Sequence, residues 1–163
     1  MTTAQHITNL SPVDALDVTI RSATVADLTR IAELDDQLYP IEGGWSLEDF
    51  EEDFSTDGRL YLVAVSGNEI VGYSACAIDD GVGELTMNTV VPAWRGRGIG
   101  RLLLEARLQW LDQRVADVYL QTRVDNEPVL RTYTSYGFTR SNLLVNYYGA
   151  GVDAVEMRRQ HQS

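Results

Sequence analysis

Val90-Val91-Pro92-Ala93-Trp94-Arg95-Gly96-Arg97-Gly98-Ile99-Gly100 is the stretch that decides how this chain folds. Ahead of it, a β-like run from Leu85 to Val91 stops at Pro92. Behind it, Ile99, Leu102, Leu103, Ala106 and Trp110 recur at helical spacing. Strand, glycine-rich turn and helix, in that order, aim free backbone N–H groups at a phosphate. The helix N-terminus adds partial positive charge and the glycines allow close backbone approach. Arg95, Arg97 and Arg101 place formal charge beside the turn.

Two phosphate-binding loops do not fit. The nucleotide-hydrolase loop ends in Gly-Lys-Ser/Thr, and the chain contains no lysine. The dinucleotide fingerprint has a glycine spacing that Gly96, Gly98 and Gly100 do not match. What remains is Arg-x-x-Gly-x-Gly, filled by Arg95, Gly98 and Gly100. Downstream, Asn126 is followed seven residues later by Tyr133, then by Gly137-Phe138. The interval from Gly100 to Asn126 holds one helix and one strand, Val118 to Val124. Leu120-Gln121-Thr122-Arg123 lies in that strand. Asn146-Tyr147-Tyr148, a short turn and Asp153-Ala154-Val155-Glu156-Met157 stand near the end.

In these features the chain resembles the GNAT N-acetyltransferases. The loop matches the family's acetyl-CoA loop. The second segment matches Asn-x-x-Ala-x-x-x-Tyr-x-x-x-Gly-Phe, with Val129 at the Ala position. The ending is similar to the last hairpin of ribosomal-protein alanine N-acetyltransferases. The resemblance covers most of residues 17–159. It implies an α/β fold: a central mixed, mostly antiparallel sheet of about seven strands, ordered βααβββαβαββ and flanked by helices. It also implies acetyl-CoA as co-substrate and acetyl transfer to a primary amine by direct attack in a ternary complex.

Carried over residue by residue, the resemblance gives a candidate site. Thr89, Val90 and Val91, at the end of the fourth expected strand, would act on the cofactor through the main chain. Arg95, Gly96, Arg97, Gly98, Ile99, Gly100 and Arg101 would hold the pyrophosphate, with Asn126 and Tyr133 completing the cofactor site. Tyr133 is the candidate general acid, since a phenol near pKa 10 stays protonated at neutral pH and can donate to a thiolate. Packing on the sheet is its other role. Asn126 can cap the following helix, hold the cofactor, or do both. Glu84 stands where histone-type members carry the general base, and an ordinary strand-edge carboxylate is equally consistent with it. In the ribosomal-protein type the base falls at Gln121, and an amide cannot accept a proton. An α-amino group, with a pKa of about 7.7–8.0, needs little help to deprotonate. Tyr39, Trp45 and Tyr147 are candidate acceptor contacts, from the Tyr39–Trp45 loop and the last hairpin.

Composition narrows the partners. A net charge of −11 argues against nucleic-acid binding. Ten carboxylates and no Arg or Lys lie between Ile31 and Gly58, which suits a cationic acceptor or a merely solvated face. No run of 18 apolar residues predicts a membrane span. No cluster of His, Cys and acids predicts a metal. The lone Cys76 sits in an apolar run and reads as a small hydrophobe. A cytoplasmic enzyme, monomer or homodimer, is expected: a polar mobile arm over residues 1–16, then one acetyltransferase domain over 17–163. Two other functions stay open. One is a small-molecule acetyltransferase acting on a polyamine, aminoglycoside or amino acid; the other is a non-catalytic acyl-CoA-binding module.

The periodicities place a first strand at Val18 to Arg21 and a helix after Thr24, with Asp27 three residues on. An acidic helix follows over Ser46 to Phe54, capped by Ser46. Leu60–Val65 and Ile70–Ile78 form a hairpin around Gly67-Asn68. Helices follow from Gly98 to about Arg114 and from Glu127 to Tyr136, then strands over Leu143–Tyr148 and Asp153–Arg158.

Overall fold

The computed structural model describes residues 17–40 and 44–160, with the backbone of Pro12 and Val13. The elements are β1 (Pro12–Val13), β2 (Val18–Ser22), α1 (Leu28–Leu38), α2 (Leu47–Phe54), β3 (Arg59–Ser66), β4 (Glu69–Asp79), β5 (Val82–Val90), α3 (Ile99–Asp112), β6 (Asp117–Arg123), α4 (Glu127–Ser135), β7 (Thr139–Leu144) and β8 (Ala154–Gln160). This is the expected order behind one added two-residue strand. Pro12 and Val13, which fall inside the expected arm, pair antiparallel with Thr19 and Val18. Most of that arm lies outside the described residues, as do residues 41–43.

The strands form one sheet in the order β1-β2-β3-β4-β5-β6-β8-β7. Every neighbouring pair is antiparallel except β5 and β6. A parallel pair needs a crossover, and α3 supplies it. Two apolar layers result. On one face, Leu28, Ile31 and Leu34 of α1 and Phe50 of α2 pack with Tyr61, Val63, Tyr73 and Ala75. On the other, Ile99, Leu103, Leu104 and Leu111 of α3, with Leu130 of α4, pack on Leu60, Leu62, Val71, Leu85 and Leu120. Cys76 is buried in that second layer, and burial pushes its thiol up to about 12, so it is a packing residue.

Local signals set the helix ends. Ser46 Oγ accepts from Asp49 N at 3.1 Å while Asp49 returns an acceptor to Ser46 N at 2.9 Å, a reciprocal cap. Asp27 accepts from Thr24 N at 2.8 Å, but a 3₁₀ turn over Val25–Asp27 precedes α1. The last hairpin departs from expectation. Its first strand is Thr139–Leu144, not Leu143–Tyr148, so Tyr147 and Tyr148 lie in the turn. Asn146 takes φ +58, accepts from Gly151 N at 2.8 Å and receives Asp153 Oδ1 on its own N–H at 2.8 Å. These bonds end the strand, because an asparagine tolerates the left-handed region and mimics a turn with its side chain.

Candidate active site

β5 and β6 pair only at Val82–Asp117, Gly83–Val118 and Glu84–Tyr119. Beyond that point each continues without the other, β5 to Val90 and β6 to Arg123. A bulge sits at the parting. Leu85 opposes Cys76 and Met87 opposes Ala75, so Thr86 is the extra residue. Two cavities open on the gap. One, of about 580 Å³, is bounded by Leu85–Asn88, by Gly100, Arg101, Leu104 and Arg107 of α3, and by Asn126, Val129 and Tyr133. The other, of about 530 Å³, lies against the α1–α2 layer and is bounded by Asp35, Trp45, Asp53, Arg59, Asp79, Glu84 and Tyr147. Thr86, Met87, Gln121 and Tyr148 line both.

The glycine loop reaches the first cavity through Gly100 and Arg101. Gly98 is the N-cap of α3 with φ +87, and Gly96 has φ +77. A Cβ at either would meet nothing within 4 Å. The first turn of α3 therefore presents unpaired N–H groups to open space. Arg95 folds back, its Nε donating to Val90 O at 2.9 Å, and ties the loop to the end of β5. Arg97 stacks on Trp94 at 4.9 Å. Of the loop residues, Gly100 and Arg101 line the cavity.

A family model for the acetyltransferase (GNAT) family matches residues 26–138. The chain belongs to this family. It is 38% identical over 151 residues to the N-alpha-acetyltransferase RimI of Mycobacterium tuberculosis, covering 90% of this chain and 94% of that one. An N-alpha-acetyltransferase of Saccharolobus solfataricus is 28% identical over 157 residues, covering 88% and 93%. In fold, the chain is similar to the ribosomal-protein-S18-alanine N-acetyltransferase of Escherichia coli, with TM-score 0.79, 23% identity and coverage of 90% and 96%.

In this acetyltransferase the residues singled out from sequence fall in distinct places. Tyr133 lines the first cavity, and its ring packs edge-on against Phe138 with centroids 5.6 Å apart. Phe138 N donates to Tyr133 O at 3.1 Å and Gly137 N to Thr134 O at 3.0 Å, with Gly137 at φ +93. This is a Schellman stop with its apolar contact. The Tyr-x-x-x-Gly-Phe spacing is thus the device that ends α4 and fixes the tyrosine. Asn126 caps α4, its Oδ1 accepting from Val129 N at 3.5 Å, and also lines the cavity. Thr89, Val90 and Val91 are not among the cavity walls; Leu85 to Asn88 are. Val90 and Val91 pack in the two apolar layers, and buried Thr89 shares a 3.2 Å hydrogen bond with the Tyr39 hydroxyl.

Glu84 faces the second cavity, half-buried, and accepts from the Tyr119 hydroxyl at 3.2 Å. Burial pushes its carboxyl up and Asp79 adds to this, while the Tyr119 bond opposes. Asp35 is also raised, by burial first, against the opposing hydrogen bond from Tyr73 at 3.0 Å. Arg59 binds Asp53 at 2.9 Å and Asp79 at 3.2 Å. The basin thus carries four carboxylates and one arginine. Only Asp35 and Asp53 come from the acidic stretch between Ile31 and Gly58. Glu48, Asp49, Glu51 and Glu52 are exposed on α2, a solvated face. Trp45 and Tyr147 line this basin, whereas Tyr39 lines the first cavity. Sequence reasoning missed Asp79, Tyr148 and Arg107. For Arg107 a signal existed, an arginine four residues after Leu103 on the apolar stripe of α3. Among the described residues, no group of three or more His, Cys, Asp or Glu could hold a metal ion. No described helix is long and apolar enough to cross a membrane.

Proposed function

We propose that this acetyltransferase moves the acetyl group of acetyl-CoA to a primary amine by direct attack in a ternary complex, and that the acceptor is a peptide N-terminus with positive charge on or near it. The carrying observation is the parting of β5 and β6 after Glu84 and Tyr119, with one cavity on each side of the gap. Two reactants can enter from opposite layers and meet at Thr86, Met87, Gln121 and Tyr148. The donor side suits coenzyme A. The helix N-terminus, the open space beside Gly96 and Gly98, and Arg97 and Arg101 fit a pyrophosphate. The acceptor side suits a cation, with Asp35, Asp53, Asp79 and Glu84 around Arg59.

In this reading the amine nitrogen bonds to the thioester carbon as the carbonyl pair moves to oxygen. Collapse breaks the C–S bond and the pair leaves on sulfur. Glu84, directly or through water, takes the amine proton, and the Tyr133 hydroxyl supplies one to sulfur. Backbone N–H groups of β5 left free by the parting polarise the carbonyl. The name of the Mycobacterium tuberculosis relative, N-alpha-acetyltransferase, agrees with a peptide acceptor. The same acidic basin also fits a small polyamine or amino sugar.

An acetyl-CoA assay across peptides with free and blocked N-termini, polyamines, aminoglycosides and amino acids separates these. The expected result is the highest kcat/KM on a free peptide N-terminus, abolished by blocking it. A polyamine as best substrate would replace the acceptor assignment. Coenzyme A binding with no turnover on any amine would replace the enzyme by a binding module.

A further inference from the structure

Among the described residues, the largest fully buried side chain is charged: Arg107 of α3. Its Nη1 donates to Met87 O at 2.9 Å and to Ala75 O at 3.1 Å, and its Nε to Leu103 O at 3.4 Å. Met87 and Ala75 face each other immediately beyond the bulge at Thr86. The guanidinium therefore grips both sides of the bulge at the point where β5 leaves β6. Its Nη2 is buried without a hydrogen-bond partner. No carboxylate pairs with it among the described residues. It lines the donor-side cavity, as do Leu104, Leu120 and Tyr133.

A guanidinium stays protonated in a protein interior. Buried charge is costly unless it is paired. Holding two carbonyls needs only a neutral donor, so the clamp by itself does not account for a cation. A positive charge fixed and buried beside a cavity is in place for negative charge that forms later, and it needs no reorganisation when that happens.

The geometry points to Arg107 as a positioning residue for acyl transfer, holding the Met87 carbonyl at the bulge and setting an uncompensated positive charge beside the cavity. Negative charge develops first on the thioester oxygen, as the amine bonds to carbon. It develops next on sulfur, as the C–S pair departs and before the sulfur is protonated. The fixed charge favours both. This inference rests on the donor-side assignment made above.

Two measurements test it. In the unaltered protein, the thiol of bound coenzyme A is titrated by thiolate absorbance. It is expected to ionise at least about one pH unit below the free thiol, since a nearby cation favours the charged form. An unshifted thiol in the bound complex overturns the role of Arg107 alone. A protein with no affinity for coenzyme A overturns the donor-side assignment and this inference with it. In the second measurement, Arg107→Lys keeps a charge and Arg107→Gln keeps a donor without one. The glutamine variant is expected to lose roughly tenfold or more in kcat relative to the lysine variant, with the KM for acetyl-CoA within about threefold. Equal kcat in the two folded variants reduces Arg107 to a clamp and overturns the charge argument. If either variant fails to fold, the thiol titration decides.

Discussion

Glu84 and Tyr133 divide the proton traffic of the proposed reaction, Tyr133 lining one cavity and Glu84 the other. Burial raises the Glu84 carboxyl, so its base form is gained at a higher pH than for a free glutamate. In the parent, kcat/KM for an amine should rise with pH through that raised value. Glu84→Gln should remove this limb and leave only the titration of the amine. Superimposable pH profiles would deny Glu84 the role. The stability sign is opposite to the catalytic one. A carboxyl raised on folding contributes stability below its unfolded pKa, and that stability is lost as pH rises through the folded value. Glu84→Gln should therefore melt at or above the parent temperature at pH 7, and the difference should vanish near pH 4. Tyr133→Phe should keep acetyl-CoA affinity and lose about 10²–10⁴-fold in kcat, the scale of a general acid. A fully active variant would leave Tyr133 only its packing against Phe138.

Two helix ends carry the family's sequence motifs, and each does so for a backbone reason. Gly98 starts α3 at φ +87 beside open space. Gly98→Val forces a β-branched residue into the left-handed region, a strain of about 1–2 kcal/mol or more, and fills the approach to the helix N-terminus. Calorimetry should show a dissociation constant for acetyl-CoA raised at least about tenfold in a folded variant; unchanged affinity would remove the cofactor from this loop. Gly137 ends α4 at φ +93, and the two Schellman bonds position the Tyr133 ring. These glycine positions are legible in sequence because a turn that needs positive φ selects glycine. The end of β7 was not legible. Leu143, Leu144 and Val145 continue a strand-like run, and the stop comes from side-chain bonds of Asn146 and Asp153 made across the hairpin.

At the scale of the molecule, charge is divided between the two faces of the gap. The basin proposed for the acceptor is acidic, and the cavity proposed for the donor carries Arg101 and Arg107. The KM of a cationic acceptor should rise as ionic strength grows past the point where the Debye length falls to about 8–10 Å. A KM for the best amine that is indifferent to salt would reduce the basin to a solvated surface. Most of this architecture was open to sequence reading. Periodicity placed the helices and strands, and the glycine loop with the Asn126–Tyr133–Gly137 spacing placed the chain in its family, because such signals depend on neighbours a few residues apart. The sequence could not say which carboxylates share a cavity. It ranked an acidic stretch whose larger part faces solvent, and passed over Asp79, which reaches the basin from the end of β4. Nor could it say that Arg107 enters the bulge instead of pointing outward. Those placements join residues from separate elements, such as Arg107 with Ala75 and Met87, and Asp79 with Asp35 and Asp53. They follow from the strand register, the bulge and the parting of β5 from β6, and only the packed sheet fixes these.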